Sequence, residues 1–175
     1  MCHSEQREFV QRVSKRFPDL FAGKILEIGS LNINGTIRDF FSTEDYVGID
    51  VAPGKGVDVV AQGQELTYPD NSFDVCVSSE CFEHNPYWLE TFENMIRMSS
   101  RLVVFTCAST GRAEHGTTAT TPKDSPLTLD WNYYRNLSEK DFRDALDFDS
   151  VFEQYRFEYN AHSCDLYFWG LLPVQ

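Results

Sequence analysis

The chain has 175 residues, which at roughly 150 residues per domain reads as one domain spanning 1–175. Its 42% hydrophobic and 14% aromatic content supplies a sizeable core, so neither disulfides nor a structural metal is needed to hold it folded. Twenty-seven acids against 15 bases leave a formal net charge of −12, and so acidic a surface makes nucleic acid or an anionic membrane a poor partner.

The longest apolar runs are strand-length, far short of the roughly 20 residues of a membrane-spanning helix. Residues 1–8 are polar and lack the apolar segment of a secretory signal, so a cytoplasmic protein is expected. The five cysteines form no CxxC pair and read as free thiols of a reducing compartment.

In chain order, Phe9, Val10, Val13, Phe17 and Leu20 recur at helical spacing and predict a helix over 5–20. The apolar run 24–28 is the first strand, ending at Gly29, and 36–41 reads as a helix. A second strand over 46–50 ends in Asp50, and 57–60 is a short third. The fourth strand covers 72–78, 87–98 is an amphipathic helix, and 102–106 is the fifth strand. Buried strands alternating with helices predict a parallel sheet covered on both faces. The segment 109–136, rich in Gly, Thr, Pro and Asp, breaks the rhythm as a long loop of the functional kind. A capped helix then runs over 138–146. Two strand-like runs, 151–159 and 165–172, joined by Asn160-Ala161-His162-Ser163, suit an antiparallel pair.

In an open α/β sheet, ligands sit beyond the carboxyl ends of the strands. Here those ends carry Gly29-Ser30, Asp50-Val51, Gln62-Gly63 and Ser78-Ser79-Glu80. Gly29 permits close backbone approach, and Asp50, 21 positions on, is placed to accept hydrogen bonds from ribose hydroxyls. The dinucleotide fingerprint GxGxxG fails, since Leu31 and Asn34 stand where glycines are needed. Glu27 instead sets an acid at the end of the first strand, where it repels phosphate and welcomes an ammonium or sulfonium.

These blocks resemble the class I S-adenosylmethionine-dependent methyltransferases over nearly the whole chain. The first motif is Ile25-Leu26-Glu27-Ile28-Gly29-Ser30 and the second Tyr46-Val47-Gly48-Ile49-Asp50. The fourth-strand motif runs from Phe73-Asp74-Val75 to Glu80-Cys81-Phe82-Glu83-His84. The likeness is nearest to small methyltransferase-domain proteins of the type-11 kind, in which the first loop runs on to Asn34-Gly35-Thr36. The resemblance implies a Rossmann-like, doubly wound α/β fold with helices on both faces. Its seven-stranded sheet would be mostly parallel, with an antiparallel last strand. It also implies S-adenosyl-L-methionine as cofactor: the loop with Glu27, Gly29, Ser30, Asn34 and Gly35 would wrap the methionine part, Asp50 would bind ribose, and Val51 would pack on adenine. Gln62 and Gly63 would read the adenine edge, and Ser79 would line the site. The chain departs from the family in lacking Pro-Gly-Gly before the fifth strand, where Ser99-Ser100-Arg101 stands.

Methyl transfer is a one-step displacement that chiefly needs alignment and a path for a proton. The candidate catalytic groups are Glu80 and His84 after the fourth strand and His115 in the long loop. Each has an alternative role: His84 in a loop entering a helix, His115 in a loop held by its own hydrogen bonds. Glu80 and His84, four apart, could both face a metal if helical, but no third ligand is evident and no metal is expected. Arg112 and Arg135 either hold an anionic group of the acceptor or pair with the abundant acids. Trp131, Tyr133 and Tyr134 either form a lid or anchor the loop to the core. The expected acceptor is a small molecule, such as a sugar, lipid precursor or other metabolite. The rivals are a nicotinamide-dependent oxidoreductase, a cofactor-binding module without transfer activity, and a nucleic-acid methyltransferase. The last is disfavoured by the charge and by Asn85-Pro86-Tyr87, one proline short of the amino-methylating motif.

Overall fold

The computed structural model describes residues 4–123 and 131–174. Seven strands form one sheet: β1 (Ile25–Ile28), β2 (Tyr46–Asp50), β3 (Val59–Val60), β4 (Phe73–Ser79), β5 (Ser99–Ala108), β6 (Gln154–Asn160) and β7 (Asp165–Leu171). Their order is β3-β2-β1-β4-β5-β7-β6. β7 is antiparallel to β5 and β6, and the other neighbours are parallel. This is the predicted Rossmann-like sheet with its antiparallel last strand.

Alternation along the central strands sorts side chains to two faces. Val75, Val77, Leu102 and Val104 face α1 (Ser4–Arg16), which contributes Phe9, Val10 and Val13. Cys76, Val103, Phe105 and Cys107 face the other core. There they meet α2 (Trp88–Met98), α3 (Glu139–Ala145) and α4 (Phe148–Val151). Phe142 of α3 stacks on Phe105 with ring centroids 4.5 Å apart. The capping box joining Ser138 and Asp141 fixes where α3 begins.

The helix expected over 36–41 is a single 3-10 turn, Arg38–Phe40. Thr36 diverts the chain from an α-helix, because its hydroxyl accepts the Arg38 N–H at 3.1 Å. Ile37 and Phe41 still bury, and the Arg38 guanidinium lies 4.5 Å from the Tyr46 ring while pairing with Asp58. No helix forms between β3 and β4 either, where the chain makes another 3-10 turn, Gly63–Glu65. Side chains of α2 tie this segment down: the Asn94 amide donates to the carbonyls of Gly63, Gln64 and Leu66, and Arg97 donates to those of Leu66 and Tyr68.

Other boundaries shift. β5 is longer at both ends than 102–106, and β3 is shorter than 57–60. The run read as a strand from 151 gives its start to the end of α4. The predicted loop over 109–136 holds no regular element in its described parts, and its residues 124–130 lie outside the described residues. Among the described residues no helix is long and apolar enough to cross a membrane.

Phe142 joins α3 to the sheet beneath the site, and Phe142→Ala leaves a cavity between Trp88 and Phe105. It should lower unfolding free energy by about 3–5 kcal/mol in chemical denaturation.

Candidate functional site

β1 and β4 are neighbours whose connections leave in opposite directions along the sheet, which opens a crevice above their carboxyl ends. The first wall is the loop after β1. Gly29 adopts φ +83°, and a Cβ there would lie 2.6 Å from that of Cys81. Only glycine lets the two loops meet this closely. A cleft lies between them, lined by residues of both loops.

Two buried carboxylates face the cleft from one side. Glu27 ends on β1 and accepts a 2.7 Å hydrogen bond from the Tyr46 hydroxyl. Burial pushes its carboxyl up to about 7, against the pull of the Tyr46 hydrogen bond and of Arg38. Asp50 accepts the Leu31 N–H at 3.0 Å. Burial raises its carboxyl too, opposed by the backbone N–H groups of Leu31, Ala52 and Val51. Tyr46 gave no signal in the sequence, since a strand-opening aromatic reads as core, yet its hydroxyl donates to Glu27.

Gly29, Ser30, Asn34, Gly35, Val51, Gly63 and Ser79 also line the cleft. Ser30 does so with its backbone side, because its hydroxyl lies against Gly48. Gly63 owes its identity to packing, since a Cβ would stand 2.6 Å from Thr91 of α2. Gln62 is not brought to the cleft. Its side chain is hydrogen-bonded to Glu65 and Gln64 in the 3-10 turn, and its neighbours Ala61 and Gly63 line the wall instead.

The opposite end carries the candidate catalytic groups. Glu80 lines the cleft with a backbone φ of +50°, its N–H bonded to the Thr106 carbonyl at 2.9 Å. Such strain in a residue other than glycine persists only where the surroundings enforce it. The stretch from Glu80 to His84 is not α-helical, for it closes in the 3-10 turn Phe82–His84, so Glu80 and His84 do not share a helix face. His84 lines the cleft; His115 lies behind it, its ring centroid 5.3 Å from that of His84. Gly116, with φ +63°, reaches the cleft in its place. Burial pulls both imidazoles down to about 4, leaving them neutral and weakly basic at pH 7. Cys81, unremarked in the sequence, lines the cleft as an inert thiol, pushed up to about 12 by burial.

The loop's remaining candidates are tied down. Arg112 donates to the Ser163 carbonyl and pairs with buried Asp165 at 3.4 Å, and Arg135 pairs with Asp141. Tyr134 packs on both imidazoles and so anchors the loop. Trp131 lines the cleft and meets Tyr87 edge-on at 5.8 Å, making an aromatic mouth. The Asn85 amide donates to Thr91 and its oxygen accepts the Tyr87 N–H, so Asn85 opens α2.

Tyr46→Phe removes the hydroxyl that lowers the Glu27 carboxyl, so Glu27 should titrate above 7 in the variant. Carbon-detected NMR of the glutamate carboxyls would read the shift, and an unchanged Glu27 titration would contradict the assignment.

The fold has counterparts among known proteins. A family model described as methyltransferase domain matches residues 35–102. A sequence search of curated proteins finds no match. Among solved structures, a candidate methyltransferase from Bacillus halodurans C-125 superposes with a TM-score of 0.64 at 10% identity, covering 98% of this chain and 100% of that one. The N-terminal domain of EvdMO1, solved with SAH and D-fucose, gives 0.65 at 16% identity, covering 99% and 85%. Magnesium protoporphyrin IX methyltransferase from Synechocystis PCC 6803, solved with SAH, gives 0.62 at 13% identity, covering 97% and 83%. The chain thus carries a methyltransferase-domain match over residues 35–102 and, over its length, the fold of solved S-adenosylmethionine-dependent methyltransferases.

Proposed function

We propose that the protein transfers the methyl group of S-adenosylmethionine to a small-molecule acceptor, a sugar, lipid precursor or other metabolite, by direct displacement. We read 1–175 as one domain acting in the cytoplasm, a placement supported by four unpaired cysteines among the described residues. The observation that carries the reading is a single cleft with Glu27 and Asp50 on one side and Glu80, His84 and Trp131 on the other.

The residues fit the cofactor. Glu27 is a buried carboxylate with one hydroxyl donor and a carboxyl raised to about 7, a group that gains from a neighbouring cation. An ammonium supplies that cation. Asp50 spends one oxygen on the Leu31 N–H and has acceptor capacity for ribose hydroxyls. Val51, 38% exposed in the cleft, offers an apolar surface for a purine face. Ala61 and Gly63 stand where Gln62 was expected to read its edge. Asn34 and Gly35 bound the loop around the amino-acid portion.

When bound, the sulfonium supplies an activated methyl carbon, so the chain's work is alignment and proton removal. Trp131 and Tyr87 give the acceptor a stacking surface at the mouth. Glu80 lines the cleft where an acceptor proton would leave. His84 and His115 are poor proton acceptors near pH 7, being pulled down to about 4. A small acceptor is favoured by this aromatic mouth, by the charge of −12, and by fold likeness to a domain solved with D-fucose.

Calorimetry with S-adenosylmethionine and S-adenosylhomocysteine should show binding that Asp50→Ala weakens at least tenfold, since hydrogen bonds to a charged group contribute about 1.5–3 kcal/mol. Heat with NAD alone would overturn the reading in favour of a redox enzyme. Binding without transfer to any sugar, lipid precursor or other metabolite of a panel would reduce the protein to a cofactor-binding module.

The pH dependence has a defined sign. An amino-acid ammonium stays protonated below roughly 7.7, whereas Glu27 takes up a proton below about 7 and loses its charge. Affinity for S-adenosylmethionine should therefore fall about tenfold between pH 7 and 5.5 in the wild type. Glu27→Gln should bind weakly with a flat profile over that range, and an equally flat wild-type profile would remove Glu27 from the ammonium site.

A further inference from the structure

We propose that Glu83, His84 and His115 form a binding site for one divalent first-row transition-metal ion at the acceptor end of the cleft. One ligand atom from each of the three lies within 4.8 Å of the others. The Glu83 Oε1 is 3.9 Å from the Nε2 of His84 and 3.9 Å from that of His115. Ligands bonded at about 2.1 Å in tetrahedral geometry sit roughly 3.4 Å apart, so the three close on an ion with small movements of two rings.

The second observation is Glu83 itself. It is fully buried, and among the described residues neither carboxylate oxygen has a hydrogen-bond partner. The N–H groups of Glu83 and Ala108 face it without reaching hydrogen-bond geometry. A buried carboxylate left so is costly unless a cation or a proton completes it. Two other buried carboxylates, Glu80 and Asp165, act on the same Cys107 thiol as Glu83 does. The Arg112 guanidinium pairs with Asp165.

The imidazoles are prepared as ligands. His115 Nδ1 lies 3.0 Å from the Ala113 carbonyl, so its N–H donates there and Nε2, which has no hydrogen-bond partner among the described residues, turns its lone pair toward Glu83. Metal-bound histidines are oriented by this same backbone contact on the far nitrogen. The Tyr134 hydroxyl reaches the Ala113 carbonyl as well, and its ring packs on both imidazoles. Gly116 is in the left-handed region, where a Cβ would lie 2.7 Å from His84 Cε1, so the loop holding His115 closes directly on His84. Two imidazoles and a carboxylate suit zinc, cobalt, iron or manganese rather than calcium or magnesium.

Three protein ligands leave coordination positions open. His84 borders the cleft, so those positions face the acceptor and select one with an oxygen donor, such as a hydroxyl. This role rests on the methyl-transfer reading of the cleft; the ion's binding does not.

Cobalt(II) is the probe. Titrated into metal-free protein, it should saturate at one equivalent with visible bands of nitrogen and oxygen ligation, and its paramagnetism should shift the His84 and His115 ring protons in NMR. His115→Ala and His84→Gln, checked for folding by circular dichroism, should each weaken binding at least tenfold. Glu83→Gln should abolish the rise in Tm that cobalt gives the wild type. S-adenosylmethionine binding measured on the same samples separates failure of the metal site from failure of the cofactor site. The proposal is overturned by the absence of stoichiometric binding, by binding indifferent to His115→Ala, by thiolate charge-transfer bands, or by unshifted histidine protons.

Discussion

The approach of the β1 loop to the β4 loop constrains everything else in the molecule. Gly29 and Cys81 meet so closely that any side chain at position 29 would collide, and this contact seals the floor of the cleft at the point where the chain changes direction across the sheet. Parallel pairing of β1 with both β2 and β4 then places Glu27 and Asp50 on one side of that floor and Glu80 and His84 on the other. The helices serve this placement by covering the two faces. The loop to β2 achieves the same with less: it needs only Ile37 and Phe41 buried and Arg38 fixed against Tyr46, so a 3-10 turn suffices.

A second theme is the burial of acid. Glu27, Asp50, Glu80, Glu83 and Asp165 are all removed from water, in a protein whose surface is already acidic. Desolvation disfavours the charged forms of Glu27, Asp50 and Glu83, and the partners of these acids are uneven. Asp50 has backbone donors, Asp165 has Arg112, and Glu27 has the Tyr46 hydroxyl. In the proposed reading the cofactor's ammonium would answer Glu27 and a divalent metal ion would answer Glu83, so that the interior takes two cations from outside, one at each end of the cleft.

How much of this was legible in the sequence depended on whether the signal was local. The strands were legible because buried runs such as Leu26 or Val103 with their neighbours have no other stable place. Glu27, Gly29 and Asp50 were legible because strand ends in an alternating fold point to one edge. The turn at 38–40 was not, since helical spacing at Ile37 and Phe41 outweighed the competition from the Thr36 hydroxyl. Gln62 does not line the cleft, because position after a strand does not reveal that Glu65 and Gln64 hold its side chain. The partnership of Glu83 with His115 crosses 32 positions and depends on the loop folding back at Gly116, which no periodicity records.

The histidines show why the chemistry was harder to read than the fold. In sequence, His84 and His115 look like bases because imidazole titrates near neutrality. Burial removes that property, pulling both down to about 4, and the same burial makes them better suited to another task. A neutral imidazole with one nitrogen fixed by a backbone carbonyl presents a permanent lone pair, which is what a metal ion requires and what a proton shuttle near pH 7 does not supply. Glu80, held in strained backbone at the cleft wall, is the group left for the acid–base role in the proposed reading. The division follows from desolvation and geometry acting on the same short segment, in which Glu80 lines the cleft and Glu83, three residues on, does not.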